Sequence, residues 1–256
     1  MKETSRDNIE APQTYSSADE LDHRRRFFEL FRSCPIPEGE RLGNLGLFQN
    51  RQSLSRLFFM HELYQRIIPV HGVIMEFGVR WGQNLALFST FRGMHEPYNF
   101  NRKLVGFDTF AGFPGVSEKD GRSNQARPGE YGVTRDYQSY LDAVLDYHEK
   151  ESPLSHIKKH ELVAGDVMET LPAYLERSPE TIVALAYFDL DLYEPTKFCL
   201  EAIRDRLPRG AVVAFDELNC REFPGETRAV MEALGLANCR LQRTPHNPTP
   251  CFMVVE

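Results

Sequence analysis

The sequence predicts an α/β protein built on one mostly parallel sheet of seven strands, with the last strand running antiparallel. Three observations carry that expectation. Apolar runs such as residues 182–188 and 211–215 are bounded by carboxylates and are too short for free-standing helices. They therefore read as strands buried on both faces. Segments with helical spacing of apolar residues alternate with these runs, which implies βα units and parallel pairing. The final two apolar segments, residues 239–242 and 251–255, are joined by a proline-rich connection. Such a terminal hairpin cannot make a right-handed parallel crossover, so it closes the sheet with an antiparallel strand.

The 256 residues suit one large α/β domain with little left for a second. No apolar run reaches the ~18 residues of a membrane span. The first residues lack the apolar core of a signal peptide. The five cysteines (Cys34, Cys199, Cys220, Cys239, Cys251) are scattered and form no CxxC pair, which argues against a thiolate zinc site and fits a reducing cytoplasm. Net charge is −7. The one dense basic block, Arg24, Arg25 and Arg26, stands beside Phe27, Phe28, Leu30 and Phe31. It reads as the solvated face of a helix and not as a nucleic-acid stripe.

Residues 1–18 are polar and read as a mobile leader, followed by a single domain over residues 19–256. Ser17 with Glu20 forms a capping box for a helix to about Arg32, which Pro35 and Pro37 stop. Residues 39–49 read as a loop and residues 51–68 as a second helix. Together, residues 19–70 form a helical cover that makes a homo-oligomer plausible.

Strand one, residues 73–77, runs into Gly78-Val-Arg80-Trp81-Gly82, whose glycines let backbone approach a ligand at the start of the next helix. The pattern is not GxGxxG. Strand two ends at Asp108, an acidic residue placed to bond ribose hydroxyls. Residues 109–136 form a glycine- and charge-rich loop of lid length holding Arg122, Arg127, Tyr131 and Arg135, with Tyr137 just beyond. Arginines among aromatics suit a phosphorylated, ring-bearing substrate as well as they suit a solvated surface. The strand at 160–164 leads to Gly165-Asp166-Val167, where Asp166 could accept from an adenine amino group with Val167 against the ring. The strand at 182–188 delivers Asp189 and Asp191, and the strand at 211–215 delivers Asp216 and Glu217. Carboxylates released at the carboxyl edge of two buried strands suggest a hard-cation site. Asp191 serves equally well as a helix cap, and His246 faces either an acceptor or solvent.

The segments Glu76-Phe-Gly78-Val-Arg-Trp-Gly82, Asp108, Gly165-Asp166 and Asp189-Leu-Asp191-Leu-Tyr193-Glu194 together resemble the macrocin O-methyltransferase group. The resemblance runs over roughly residues 55–256. That group has the Rossmann-like class I methyltransferase fold and methylates sugar hydroxyls in antibiotic biosynthesis with S-adenosylmethionine and Mg²⁺. Within it the chain is most similar to deoxyhexose 3-O-methyltransferases acting on TDP-sugars such as TDP-rhamnose. The resemblance implies that Glu76, Gly78, Trp81 and Gly82 line the methionine moiety of the cofactor. Asp108 would bind its ribose, with Phe110 alongside, and Asp166 with Val167 its adenine. Asp189, Asp216 and Glu217 would hold the metal, with Asp189 also at the cofactor. Many members have Asp-Asp where this chain has Asp216-Glu217, so the longer Glu217 side chain must fold back to ligate.

A sugar hydroxyl is a poor nucleophile until it loses its proton, and a cation at its oxygen lowers the cost of the alkoxide. Asp189 is the expected base, or, if Asp189 only ligates, Asp191 or a lid histidine. Three other readings use similar parts: a nicotinamide oxidoreductase, a non-catalytic protein that binds S-adenosylmethionine, and a Mg²⁺-dependent catechol- or phenol-type O-methyltransferase. The missing GxGxxG and the closing hairpin weigh against the first. The roomy arginine-bearing loop favours a nucleotide-sugar or glycoside over a bare phenol.

Overall fold

Each helix and strand forms where the chain can pair its backbone and cover it with apolar side chains. The computed structural model describes residues 16–123 and 125–256, and the chain divides into two compact units, Met1–Arg51 and Gln52–Glu256. The leader expected over residues 1–18 lies, up to Tyr15, outside the described residues.

In the first unit, helix α1 (Ala18–Arg32) begins with the expected box. The Glu20 N–H donates to Ser17 Oγ at 3.3 Å, and the Ser17 N–H donates to Glu20 Oε2 at 2.8 Å. Phe27 and Phe31 pack on Phe48, with ring centroids 6.2 and 5.0 Å away. Residues expected as a loop instead form a short helix α2 (Glu38–Arg41) and 3₁₀ turns over Leu42–Phe48. Pro37 and two glutamates in the first turn favour a helix start there.

Helix α3 (Arg51–Ile67) opens the second unit and buries Phe59, Met60, Leu63, Tyr64 and Ile67. Carbonyls at and just beyond its C-terminus converge on one side chain, Arg102. The Arg102 guanidinium donates to Ile67 O at 2.9 Å, to Val70 O at 2.8 Å and to Gly72 O at 2.6 Å. The elements β1 (Val73–Phe77), α4 (Gln83–His95), β2 (Leu104–Asp108), α5 (Tyr137–Lys150), β3 (His160–Ala164) and α6 (Val167–Arg177) follow in turn. After them come β4 (Val183–Phe188), α7 (Tyr193–Ile203), β5 (Val212–Phe215), α8 (Pro224–Ala233) and β6 (Cys251–Val254).

The strand order is β3-β2-β1-β4-β5-β6, parallel except for β6, which runs antiparallel to β5. The sheet thus has six strands, not the seven expected, because residues 239–242 do not form one. A 3₁₀ turn over Leu236–Asn238 consumes the approach, and Pro245, Pro248 and Pro250 remove donors from the connection. What survives is a single bridge, Gln242 with Phe252.

Strands β1, β4 and β5 are buried along their whole length. Their alternate side chains feed two cores. Ile74, Leu185, Tyr187 and Val212 pack with α3, α4 and α5, whereas Met75, Ala186 and Val213 pack with α6, α7 and α8. Register puts one phenylalanine from each of four strands side by side: Phe107, Phe77, Phe188 and Phe215. Their rings stack in sequence with centroids 5.3, 4.8 and 5.4 Å apart. This ladder is the floor on which the site rests.

Candidate active site

Each ladder phenylalanine is the last residue of its strand or next to last, so the residue after it emerges at the same sheet edge. Those residues are Asp108, Gly78, Asp189 and Asp216. Backbone bonds hold them in one row: Gly78 N to Phe107 O at 2.9 Å, Asp189 N to Phe77 O at 2.8 Å, and Asp216 N to Phe188 O at 2.9 Å. Above the row lies a cavity of about 730 Å³, within the range of small-molecule and cofactor sites. Gly78, Gly82, Trp81, Asp108, Asp166, Val167, Tyr131, Asp189, Asp191, Asp216 and Glu217 all line it, so most of the expected site residues converge. Gly78 has φ +91°, and a Cβ there would stand 1.9 Å from the Asp189 carbonyl oxygen. Only glycine lets β1 turn this close to β4.

On the β1–β2–β3 side, Asp108 organises the glycine turn. Its Oδ2 accepts from Val79 N at 2.8 Å and Arg80 N at 2.7 Å, and its Oδ1 accepts from Phe110 N at 2.6 Å. Phe110 itself packs against the apolar core and does not line the cavity. Asp166 caps α6, accepting from Met168 N at 2.9 Å. Glu76 lies just beneath, 1% exposed, with Asn84 Nδ2 donating to its Oε1 at 2.8 Å and no partner for Oε2. Burial pushes its carboxyl up to about 8.

On the β4–β5 side the carboxylates crowd together. One oxygen each from Asp189, Asp191 and Glu217 lie within 4.8 Å of one another. Burial raises all three above the usual carboxylate range, reinforced at Asp189 by the charge of Asp216 and at Asp191 by its hydrogen bond with Glu217. Asp191 is held at φ +62°, is 5% exposed, and has an unpartnered Oδ1. It does not cap α7. That role falls to Asp120, whose Oδ1 accepts from Tyr193 N at 2.6 Å while its Oδ2 accepts from Ser117 N at 2.6 Å. Glu226 on α8 stands behind the cluster, 0% exposed and with both oxygens unpartnered, and burial raises it well above its ordinary value.

Sequence reasoning missed Arg56. From α3 its Nη2 donates to Asp189 Oδ2 at 3.2 Å and its Nη1 to Asp216 Oδ1 at 3.0 Å, while its Nε meets Asn84 Oδ1 at 3.3 Å. Burial works against its charge, but Asp216, Tyr187 and Asp189 outweigh that and raise its pKa. The helical spacing assigned α3 correctly, yet nothing in that spacing says which strand end a polar residue reaches. Tyr187 also donates its hydroxyl to Asp216. Of the other expected substrate residues, Tyr131 lines the cavity with the Arg80 guanidinium 4.8 Å over its ring. Tyr137 donates to Trp81 O at 2.9 Å and packs edge-on against its ring. Arg122, Arg127 and Arg135 are exposed and outside the cavity lining, and His246 packs against Phe58.

A mostly parallel sheet with a closing antiparallel strand, a glycine turn after β1 and acids at the next strand ends define a class I methyltransferase. No protein-family model matches the chain, and no curated protein matches it. Solved structures do. It is 45% identical to a structure described as CalS11, calicheamicin methyltransferase, covering 94% of each chain with a TM-score of 0.91. It is 42% identical to the apo structure of CalS11, TDP-rhamnose 3'-O-methyltransferase, an enzyme in calicheamicin biosynthesis, covering 94% of this chain and 96% of that one with a TM-score of 0.83. The O-methyltransferase NovP, 19% identical over 78% of this chain and 79% of its own with a TM-score of 0.59, shares the fold. The chain belongs to the CalS11 family of S-adenosylmethionine-dependent O-methyltransferases. Among the described residues no helix is long and apolar enough to cross a membrane.

Proposed function

We propose that this enzyme transfers a methyl group from S-adenosylmethionine to the 3-hydroxyl of a nucleotide-linked deoxyhexose, TDP-rhamnose being the acceptor its family relationship favours. The observation that carries the reading is the cavity itself. One chamber joins the Gly78–Gly82 turn, Asp108 and Asp166 to the Asp189, Asp191 and Glu217 cluster, so donor and acceptor can share one enclosure.

In this reading the methionine moiety lies over the glycine turn beside Trp81, with Glu76 and Asn84 as a polar floor. Asp108 has spent most of its acceptor capacity on three backbone N–H groups, which leaves an Oδ1 lone pair for a ribose hydroxyl. The adenine lies by Asp166 and Val167. Asp189 takes the proton from the sugar hydroxyl as the general base. Positioning does the rest, because methyl transfer needs in-line approach at about 3–3.5 Å.

A divalent cation fits the residues present. The donors are all hard oxygens, and the unpartnered Asp191 Oδ1 is buried among them. Asp189, Asp191 and Glu217 would hold it, with Asp216 reachable once freed from Arg56. When bound, such an ion lowers the cost of charge on the acceptor oxygen.

The test is to incubate the enzyme with S-adenosylmethionine and TDP-rhamnose, with Mg²⁺ or EDTA. Product gains one methyl by mass, placed on O3 by NMR. Asp189→Asn should lower the rate by about 10²-fold or more, the usual size of a general-base contribution. Methylation of catechols with no turnover of TDP-rhamnose would overturn the substrate assignment.

A further inference from the structure

We infer that Arg56 is an internal competitor of the divalent cation: its guanidinium holds Asp189 and Asp216 until an ion displaces it. The inference rests on the proposed metal site, and concerns how this chain controls it.

The geometry is that of an occupied cation position. The Arg56 fork spans the ends of β4 and β5, reaching Asp189 Oδ2 at 3.2 Å and both oxygens of Asp216 at 3.0 and 3.4 Å. A planar fork that engages two carboxylates is hard to replace with a point charge. A metal ion of near-octahedral preference would need oxygens at about 2.1 Å, and it would need some of the lone pairs now facing Arg56. Two positive groups cannot share those oxygens at contact distance without strong repulsion.

The rest of the cluster is built differently. Asp191 and Glu217 face the same space, yet Arg56 reaches neither, and Asp191 Oδ1 has no partner although the residue is 5% exposed. The site thus offers one arm to an ion and has the other arm closed by Arg56. The Arg56, Asp189 and Asp216 side chains retain 29%, 27% and 19% exposure and all three line the cavity, so an ion arriving through the cavity meets the pair directly. A second bond, Arg56 Nε to Asn84 Oδ1 at 3.3 Å, links the same side chain to the start of α4, where the methionine moiety is proposed to lie. Arg56 is therefore a positioning residue.

The experiment measures Mn²⁺ binding calorimetrically to the wild type, Arg56→Gln and Arg56→Lys, with thermal melts in EDTA and in Mn²⁺. Arg56→Gln should bind Mn²⁺ at least about tenfold more tightly than the wild type, a difference of about 1.4 kcal/mol. It should also melt lower in EDTA, because the carboxylates have lost their counter-charge, and recover more on adding Mn²⁺ than the wild type does. Arg56→Lys, with its charge kept and its fork removed, should fall between. Equal or weaker Mn²⁺ binding by folded Arg56→Gln, with binding by the wild type intact, would overturn the competition and leave the metal site standing. Absence of Mn²⁺ binding in every variant at millimolar ion would take down the metal site and this inference together.

Discussion

Replacing Gly78 by alanine should do more harm than replacing any other glycine of the loops, and the structure divides the cost. Gly78 sits at φ +91°, where an L-residue loses roughly 1–2 kcal/mol. The new Cβ would also lie 1.9 Å from the Asp189 carbonyl oxygen, with the Asp189 carbonyl carbon at 2.6 Å. Neither atom can yield, because Asp189 N is already bonded to Phe77 O at 2.8 Å and the Phe ladder supports both strands from below. Relief must come from spreading β1 from β4, and such overpacking costs about 1–3 kcal/mol. The sum, about 2–5 kcal/mol, corresponds to a melting temperature lowered by roughly 10 °C in a domain of this size. Two controls separate the contributions. Gly129 has φ +83° but open space where an alanine methyl would stand, so Gly129→Ala should show the backbone cost alone, about 4 °C. Gly115 has neither problem, and Gly115→Ala should melt within about 1 °C of the wild type. Scanning fluorimetry with and without S-adenosylhomocysteine gives all three values, and Gly78→Ala should also lose most of the ligand-induced shift. If Gly78→Ala melted no lower than Gly129→Ala, the close approach of β1 and β4 would contribute nothing and the reasoning would be wrong.

Other expectations follow from groups beneath and beside the cavity. Glu149 on α5 is buried between Arg92, its direct partner, and Lys159 at 2.8 Å. Glu149→Ala strands two buried cations and should cost about 3–5 kcal/mol in a urea melt, whereas a loss under 1 kcal/mol would mean that water replaces the carboxylate. Glu76, raised by burial to about 8, binds its proton more tightly folded than unfolded. Its contribution is therefore fully present below the ordinary carboxylate range and is lost as pH rises toward 8. In ligand-free protein, Glu76→Gln should flatten the fall in melting temperature between about pH 5 and pH 8, and an unchanged slope would place the titration elsewhere, in Asp189, Asp191 or Glu226. Asp120→Ala removes the cap of α7 and should cost about 1–2 kcal/mol. It should also raise KM for the proposed sugar acceptor more than it lowers kcat, since Asp120 lines the cavity.

Much of this architecture was legible in the chain because parallel strands buried on both faces leave short, carboxylate-bounded apolar runs. Residues 182–188 and 211–215 announced β4 and β5, and the acids after them line the cavity. The box at Ser17 and Glu20 fixed the start of α1 through local bonds alone. The missing strand at residues 239–242 shows where pattern fails, because pairing there depends on what the proline-bearing connection permits and not on the apolarity of the segment. Arg56 and Asp120 were invisible for another reason. Each acts on a partner far away in sequence, Asp216 and Tyr193, through contacts that exist only once the sheet edge is assembled. One signal did stand in the sequence unread: four strands carry phenylalanine at or next to their ends, followed by glycine or aspartate, at Phe77, Phe107, Phe188 and Phe215.

The tie between Asp120 and α7 changes how the long loop after β2 can vary. Gly225 closes against Asp120 Oδ1, where a Cβ would come within 2.3 Å, so the 3₁₀ turn at Glu118–Asp120 is wedged between α7 and α8. The loop is consequently anchored at its middle by one fixed post. The stretches on either side of the post are paired with each other, since Phe113 N donates to Glu130 O at 3.0 Å, Gly129 N donates to Phe113 O at 2.9 Å and the Phe113 and Tyr131 rings lie 5.2 Å apart, so both halves of the cavity mouth move as one unit. A scheme for altering acceptor choice in this family would graft those paired stretches together and leave Ser117, Asp120 and Gly225 alone, because these three tie the turn to the start of α7.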